Sequence, residues 1–380
     1  MPLSIGLFCD IYHPNPNGVA ISVSLLAREL QVMGHQVWVI APHQPGAEPE
    51  PRVIRVPSLP WPFLAGVRLG IPTAHGLPYF DLVHTNSPSA LGLLGLRVAN
   101  YRRIPHVSTF HTQYEAYTHY LPGATTFNRI TRAFPRYLRW FYGQVDTVIA
   151  PTEPIAKLVR GYGIKSRLEV IPTGIDLTVL ERSPLPPSPW PTGKRRLLTV
   201  SRLGKEKSVD VVIKAAATLA RNHDIHLVII GYGPEEPDLR RLAEALGIAE
   251  RVTFLGTVPY EQIGGYYRLA ELFLFASETE TQGLVIWEAQ ALGLPVVAVA
   301  AGGVPDGLTP GVTGELVAPG DSLAMAQKAG VLLSHEDLRQ KYSQAALSSG
   351  RGRSPTAVAR KILGIYQELL QQEPSAPEIR

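Results

Sequence analysis

Short runs of apolar and β-branched residues alternate with stretches of helical periodicity along nearly the whole chain. That rhythm is how βαβ units build a parallel sheet. In the first half, strands are expected at 3–9, 36–41, 81–84, 106–109, 146–150 and 168–171, with helices such as 19–33 and 87–101 between them. After residue 193 the rhythm restarts. Strands are expected there at 196–201, 226–231, 252–255, 272–276 and 295–300, and helices at 209–221, 238–246, 262–270 and 284–292. The segment 48–78 breaks the pattern: it is proline-rich and carries Trp61, Pro62, Phe63 and Leu64 together, so it reads as a surface excursion.

Five prolines within 184–191 remove backbone donors and exclude regular structure, which places a linker at 183–193. With 380 residues, the chain exceeds the roughly 250 to 300 at which one core stops growing. Two doubly wound domains are expected, at 1–182 and 194–355, with a cleft between them. Ligands of such sheets sit beyond the carboxyl ends of the strands.

Several classes are excluded or disfavoured. The lone Cys9, in an apolar run, rules out a disulfide framework within the chain and reads as a buried, inert thiol. No run of about 18 apolar residues could span a bilayer as a helix. The N-terminus lacks the basic start and long apolar stretch of a secretory signal, which predicts a cytoplasmic protein. The net charge of +4 is unevenly spread, because 15 lysines and arginines face 10 acids in residues 1–180. Seven arginines between 97 and 139 face one acid, Glu115. No recognised nucleic-acid motif accompanies this patch, so nucleic acid is not an expected partner.

Three motifs carry chemistry. The first follows the strand ending near Ala276: Glu280, then Gly283 where loop becomes helix, then Leu284, Val285 and Glu288. A helix N-terminus preceded by glycine offers backbone N–H groups and a positive dipole end, and carboxylates there can accept from hydroxyls. Alone, Glu280 reads equally as a dipole partner and Glu288 as an exposed helix residue. The second is Ser201-Arg202-Leu203-Gly204-Lys205-Glu206-Lys207, directly after the domain's first strand, where Arg202 and Lys207 could face a diphosphate. Such a turn is more often a solvated loop. The third, Gly231-Tyr232-Gly233, permits close approach of backbone to a ligand.

In order and spacing these pieces resemble the donor half of retaining glycosyltransferases of family 4. The resemblance implies the GT-B fold: two Rossmann-like domains facing a central cleft. It further implies that Glu288 holds the donor ribose, Glu280 the transferred hexose, and Arg202 with Lys207 the diphosphate. Gly283, Leu284 and Val285 would line the donor, Gly231 and Gly233 would approach it, and the strand and turn 251–258, ending at Val258, would face the nucleobase. In the first half, Gly18 in Asn17-Gly18-Val19 resembles the glycine loop near the donor phosphates, and 170–176 the segment that closes the domain. The stretch 108–120, with His111, resembles members that glucosylate diacylglycerol, and His111 would lie at the reaction centre. A lone His after a strand is otherwise more often structural. A terminal helix at 356–370 crosses back to the first domain in this family, and the tail from Glu373 reads as disordered.

The arginine excess then gains a role. From 127 to 141, Arg129, Arg132, Arg136 and Arg139 share one helical side, and Phe127, Ile130, Phe134, Tyr137, Leu138 and Phe141 the other, with a kink expected at Pro135. Such a helix can lie on an anionic membrane; the alternative is a core-packed helix with a solvated basic face. The combined expectation is a peripheral inner-membrane enzyme moving glucose from UDP-glucose to diacylglycerol. Two further transferase readings are a mannosyl- or galactosyltransferase of the cell envelope. An epimerase and a non-catalytic nucleotide-sugar binding protein also share the fold. Retention is implied, with the departing diphosphate helping to deprotonate the acceptor, since no carboxylate is assignable as covalent nucleophile.

No Asp-x-Asp pair occurs in the sequence, so no metal and no cofactor are expected. Arg202, Lys207 and helix-end amides would neutralise the leaving group. Transfer is therefore expected to continue in EDTA; loss of turnover in EDTA with recovery on adding magnesium would overturn this.

Overall fold

The computed structural model describes residues 1–14, 17–61, 68–113, 133–350 and 353–372. The chain forms two compact units, residues 1–174 with 355–380, and residues 175–354.

The first unit contains β1 (Ser4–Phe8), β2 (Gln36–Pro42), β3 (Val53–Val56), β4 (Ser58–Pro60), β5 (Arg68–Gly70), β6 (Leu82–Thr85), β7 (His106–Thr109), β8 (Thr147–Ala150) and β9 (Arg167–Val170). Seven of these form one parallel sheet in the order β3-β2-β1-β6-β7-β8-β9, while β4 and β5 make a small antiparallel pair. All residues of β6, β7 and β8 are buried, as expected for parallel strands covered on both faces. Helix Gly18–Val32 starts at Asn17, whose side chain accepts from Val19 N at 2.7 Å and so caps an otherwise unsatisfied donor. The segment read as an excursion supplies the edge strand β3 as well as the β4–β5 pair. Its isoleucine and valines were too few, among prolines, to register as a strand.

The second unit contains β10 (Arg195–Val200), β11 (Ile225–Ile230), β12 (Val252–Gly256), β13 (Leu272–Phe275), β14 (Val296–Val299) and β15 (Gly314–Val317). They form a parallel sheet in the order β12-β11-β10-β13-β14-β15. The edge strand β15 was not foreseen: its sequence, Gly-Glu-Leu-Val, has no sustained apolar run and is half covered.

The boundary differs from the expected one. Residues 175–193 belong to the second unit, not to the first domain and a free linker. Helix Leu177–Arg182 and the proline segment lie along helix Tyr260–Leu269, where a Cβ on Gly264 would fall 2.0 Å from the Leu180 carbonyl oxygen and one on Gly265 would fall 2.1 Å from that of Pro184. Trp190 is buried and donates to the Leu197 carbonyl at 3.1 Å. Prolines exclude helix and strand but not docking.

The C-terminal helix Pro355–Gln371 packs on the first unit through Ala359, Ile362, Ile365, Tyr366 and Leu369. Tyr366 hydroxyl lies 2.5 Å from His84 Nδ1, and His84 Nε2 lies 2.7 Å from Thr109 Oγ1. Burial lowers the His84 pKa to about 3, so the imidazole is neutral and both nitrogens are engaged. Tyr366→Phe leaves one buried ring nitrogen without a partner. It should destabilise the first unit by about 1 to 3 kcal/mol, read as an earlier urea transition; an unchanged midpoint would show that the bond is worth nothing.

Candidate active site

In the second unit the chain leaves β10 toward β11 on one side, and later returns to form β13 on the other. The strand order reverses between β10 and β13, which opens a crevice at their carboxyl ends. The loops after these two strands carry the first two sequence motifs. Lys207 Nζ lies 2.6 Å from Glu280 Oε1, with the two side chains only 13% and 18% exposed. Arg202 pairs with Glu206, whose carboxylate is almost wholly buried. Burial pushes the Glu280 pKa up, but the Lys207 charge and bonds from Lys207 and Ser277 outweigh it and hold Glu280 below the usual range. Glu280 is therefore an anion at neutral pH.

Gly283 ends this loop at φ +72°, in the left-handed region, and hands over to helix Leu284–Ala291. Glu288 lies one turn in and is buried, not exposed; it accepts from the Tyr267 hydroxyl at 3.0 Å. Val258 and Val285 pack their side chains against the adjoining core. Gly231 and Gly233 are each required by packing within the unit itself. A Cβ at Gly231 would fall 1.8 Å from the Ser201 carbonyl oxygen, and one at Gly233 2.2 Å from that of Leu203. The close approach is of backbone to backbone: Leu203 N donates to Tyr232 O at 2.9 Å and Glu235 N to Leu203 O at 3.0 Å. The glycine turn thereby holds the loop that carries Arg202.

The first unit repeats the topology, with its reversal between β1 and β6. Asp10, after β1, is buried and accepts from Ser87 Oγ, from Ser89 Oγ at 2.7 Å and from Leu91 N at 3.1 Å, so it ties the loop after β6 to the start of helix Ala90–Arg102. Asn86 is buried, and its Oδ1 lies 3.0 Å from His111 Nε2. Burial lowers the His111 pKa to about 4, so it acts as a neutral hydrogen-bonding ring at pH 7. Gly18 is the exposed first residue of its helix. Among the described residues, no group of three His, Cys, Asp or Glu is placed to hold a metal ion.

Arg129 and Arg132 lie outside the described residues, as does 114–120 of the stretch around His111. On helix Ala133–Tyr142, Arg136 and Arg139 are exposed, beside a half-exposed Trp140. Leu138 and Phe141 are buried in a core with Leu96, Phe110 and Val148. Of the described apolar side, Leu138 and Phe141 are spent on this core and Phe134 and Tyr137 are partly buried against it, while Arg136, Arg139 and Trp140 look outward. No described helix is long and apolar enough to cross a membrane.

Sequence reading did not single out Glu206, Tyr267, Asn86 or Asp10. Glu206 sits between two lysines in a turn that looks solvated. Tyr267 and Asn86 act on partners 21 and 25 residues away, which no local pattern marks.

Residues 16–179 match the family model described as Glycosyltransferase Family 4, and residues 185–348 match that of Glycosyl transferases group 1. An alpha-monoglucosyldiacylglycerol synthase of Streptococcus pneumoniae is 35% identical over 315 residues, which is 78% of this chain and 71% of that protein. A GDP-mannose-dependent alpha-mannosyltransferase of Mycobacterium tuberculosis is 32% identical over 382 residues, 96% of each chain. Among solved structures, the sucrose-phosphate synthase of Thermosynechococcus elongatus superposes with a TM-score of 0.78 at 21% identity, covering 97% of this chain and 99% of that one. That last likeness is one of fold.

Burial pushes Glu288 up to about 7 from an ordinary 4.5, against the opposing bonds from Tyr267 and Tyr260. A carboxyl raised on folding adds stability that is fully present below its unfolded pKa and is lost as pH rises through its folded one. Between about pH 5 and about pH 8 the wild-type second unit should therefore lose on the order of 2 kcal/mol relative to Glu288→Gln. Urea denaturation at both pH values checks this; parallel losses in the two proteins would show that Glu288 titrates normally.

Proposed function

The chain belongs to glycosyltransferase family 4, and from that premise we propose that it moves glucose from UDP-glucose to diacylglycerol, with retention of anomeric configuration and without a metal. The observation that carries this reading is the Lys207–Glu280 pair beside Arg202 at the switch point of the second sheet. It belongs to a chain 35% identical to a protein named as a monoglucosyldiacylglycerol synthase.

Arg202 and Lys207 supply two cations for the diphosphate, which becomes more basic as the glycosidic bond breaks; holding that charge lowers the barrier. Glu280, kept ionised by Lys207, accepts from hexose hydroxyls and orients the sugar. Glu288, against Tyr267, is the acceptor for the ribose hydroxyls. A phosphate oxygen of the departing diphosphate takes the proton of the attacking hydroxyl on the same face of the sugar, so configuration is kept and no covalent enzyme intermediate forms. In the first unit, His111 is a neutral imidazole hydrogen-bonded to Asn86, so it offers a hydrogen-bonding ring and no positive charge.

The acceptor reading draws on the first unit. Exposed Arg136 and Arg139 with Trp140 offer cations and an interfacial aromatic to an anionic surface on the cytoplasmic side, with up to ~1 kcal/mol for each basic residue near it. Binding there is electrostatic, since Leu138 and Phe141 are spent on the core.

A second reading is mannosyl transfer from GDP-mannose to another lipid, favoured by the mannosyltransferase that matches 96% of the chain. One screen separates the two. Purified enzyme is mixed with UDP-glucose, UDP-galactose, UDP-GlcNAc or GDP-mannose, each with diacylglycerol or an inositol phospholipid in anionic vesicles, and the lipids are read by mass spectrometry. Hexosyl-diacylglycerol formed from UDP-glucose is expected. Transfer from GDP-mannose to the inositol lipid alone would replace the glucosyl reading, and use of a soluble acceptor alone would remove the lipid.

A further inference from the structure

We propose that Glu206 is a positioning residue of the donor site that acts through Arg202, an inference that rests on the reading of Arg202 as a diphosphate-binding cation. Glu206 occupies the middle of the single 3-10 turn Lys205–Lys207 that follows β10. Its side chain is 1% exposed and pairs with the Arg202 guanidinium, which is itself 27% exposed. Its carbonyl oxygen accepts from Glu278 N and from Ser277 Oγ, each at 3.4 Å, on the loop that carries Glu280. Its neighbour Lys207 reaches Glu280 directly. One residue thus joins the three charged groups that the proposed mechanism needs.

The energetics argue for position, not for stability. Burying a carboxylate is costly, and a buried ion pair returns little net stability; what it fixes is geometry. A guanidinium presents five donors in a planar fork. Holding one edge on a buried acid sets the plane of the others before an anion arrives, so less side-chain entropy is lost on binding. Glu206 also carries negative charge toward an anionic ligand. The proposal requires that orientation outweigh this repulsion, and the sign of the effect is measurable.

The test is a double-mutant cycle read by calorimetric titration with UDP and with UMP, which lacks the second phosphate; GDP and GMP replace them if the screen selects GDP-mannose. Glu206→Gln keeps the side-chain volume and the backbone carbonyl. It and Arg202→Met are each expected to weaken UDP about tenfold and to leave UMP nearly unchanged, with the double variant no weaker than Arg202→Met alone. Multiplicative losses in the double variant would overturn the proposal, as would unchanged or tighter UDP binding in Glu206→Gln, or equal losses for UDP and UMP. If Arg202→Met itself leaves UDP binding intact, the diphosphate role of Arg202 fails, and this inference with it. If Glu206→Gln does not fold, Glu206→Asp retains the charge and withdraws it by one methylene. It is then judged by the same pattern, with a smaller loss expected.

Discussion

In the second unit, β10 hydrogen-bonds β13 at only two registered pairs, Leu197 with Leu272 and Leu198 with Phe273. Beyond them the two chains diverge, because one continues to β11 on the left of β10 and the other to β14 on the right of β13. Everything charged in the candidate donor site hangs from this divergence. The loops after the two strands meet across it through Lys207 and Glu280, and through the Glu206 carbonyl. Without adjacent carboxyl ends, residues 73 positions apart would have no reason to pair.

Buried acids recur at these crevices, each with partners that make burial tolerable. Asp10 accepts from two serines and a helix start, Glu206 pairs with Arg202, and Glu288 accepts from Tyr267. The partner decides the charge state. Glu280 faces an ammonium group and stays ionised, whereas Glu288 faces hydroxyls and is raised to about 7. Two carboxylates of one short motif thus receive opposite shifts, one suited to hold charge through a reaction and one to share hydrogen bonds. The neutral, buried His84 and His111 are both lowered chiefly by burial, and the charges of the nearby His111 and His106 add to the shift of His84.

Where the sequence left a partner open or misplaced it, the reason is identifiable. Periodicity reports that helix Ala133–Tyr142 has two sides, not what covers either, so a membrane-facing and a core-packed apolar side were both open; Leu138 and Phe141 are core. Gly231 and Gly233 mark a close approach without naming what is approached; one neighbour is the 201–203 backbone. The proline segment looked like a free linker, but Trp190 and the glycine pair 264–265 seat it on the second unit. Local pattern alone names none of these partners.

The alternation of strand and helix signals was enough to establish two parallel α/β units, most of their strands, and the positions of the Arg-Lys and Glu-Glu motifs, because these are written in local periodicity and spacing. Edge strands β3 and β15 escaped, since a half-covered strand need not be apolar. Only the tertiary structure decided which charges meet and which carboxylates are buried. It also decided that Glu206, Asn86, Tyr267 and Tyr366 meet Arg202, His111, Glu288 and His84. Those relations depend on strand order, which brings distant loops together, and nothing within a ten-residue window carries strand order.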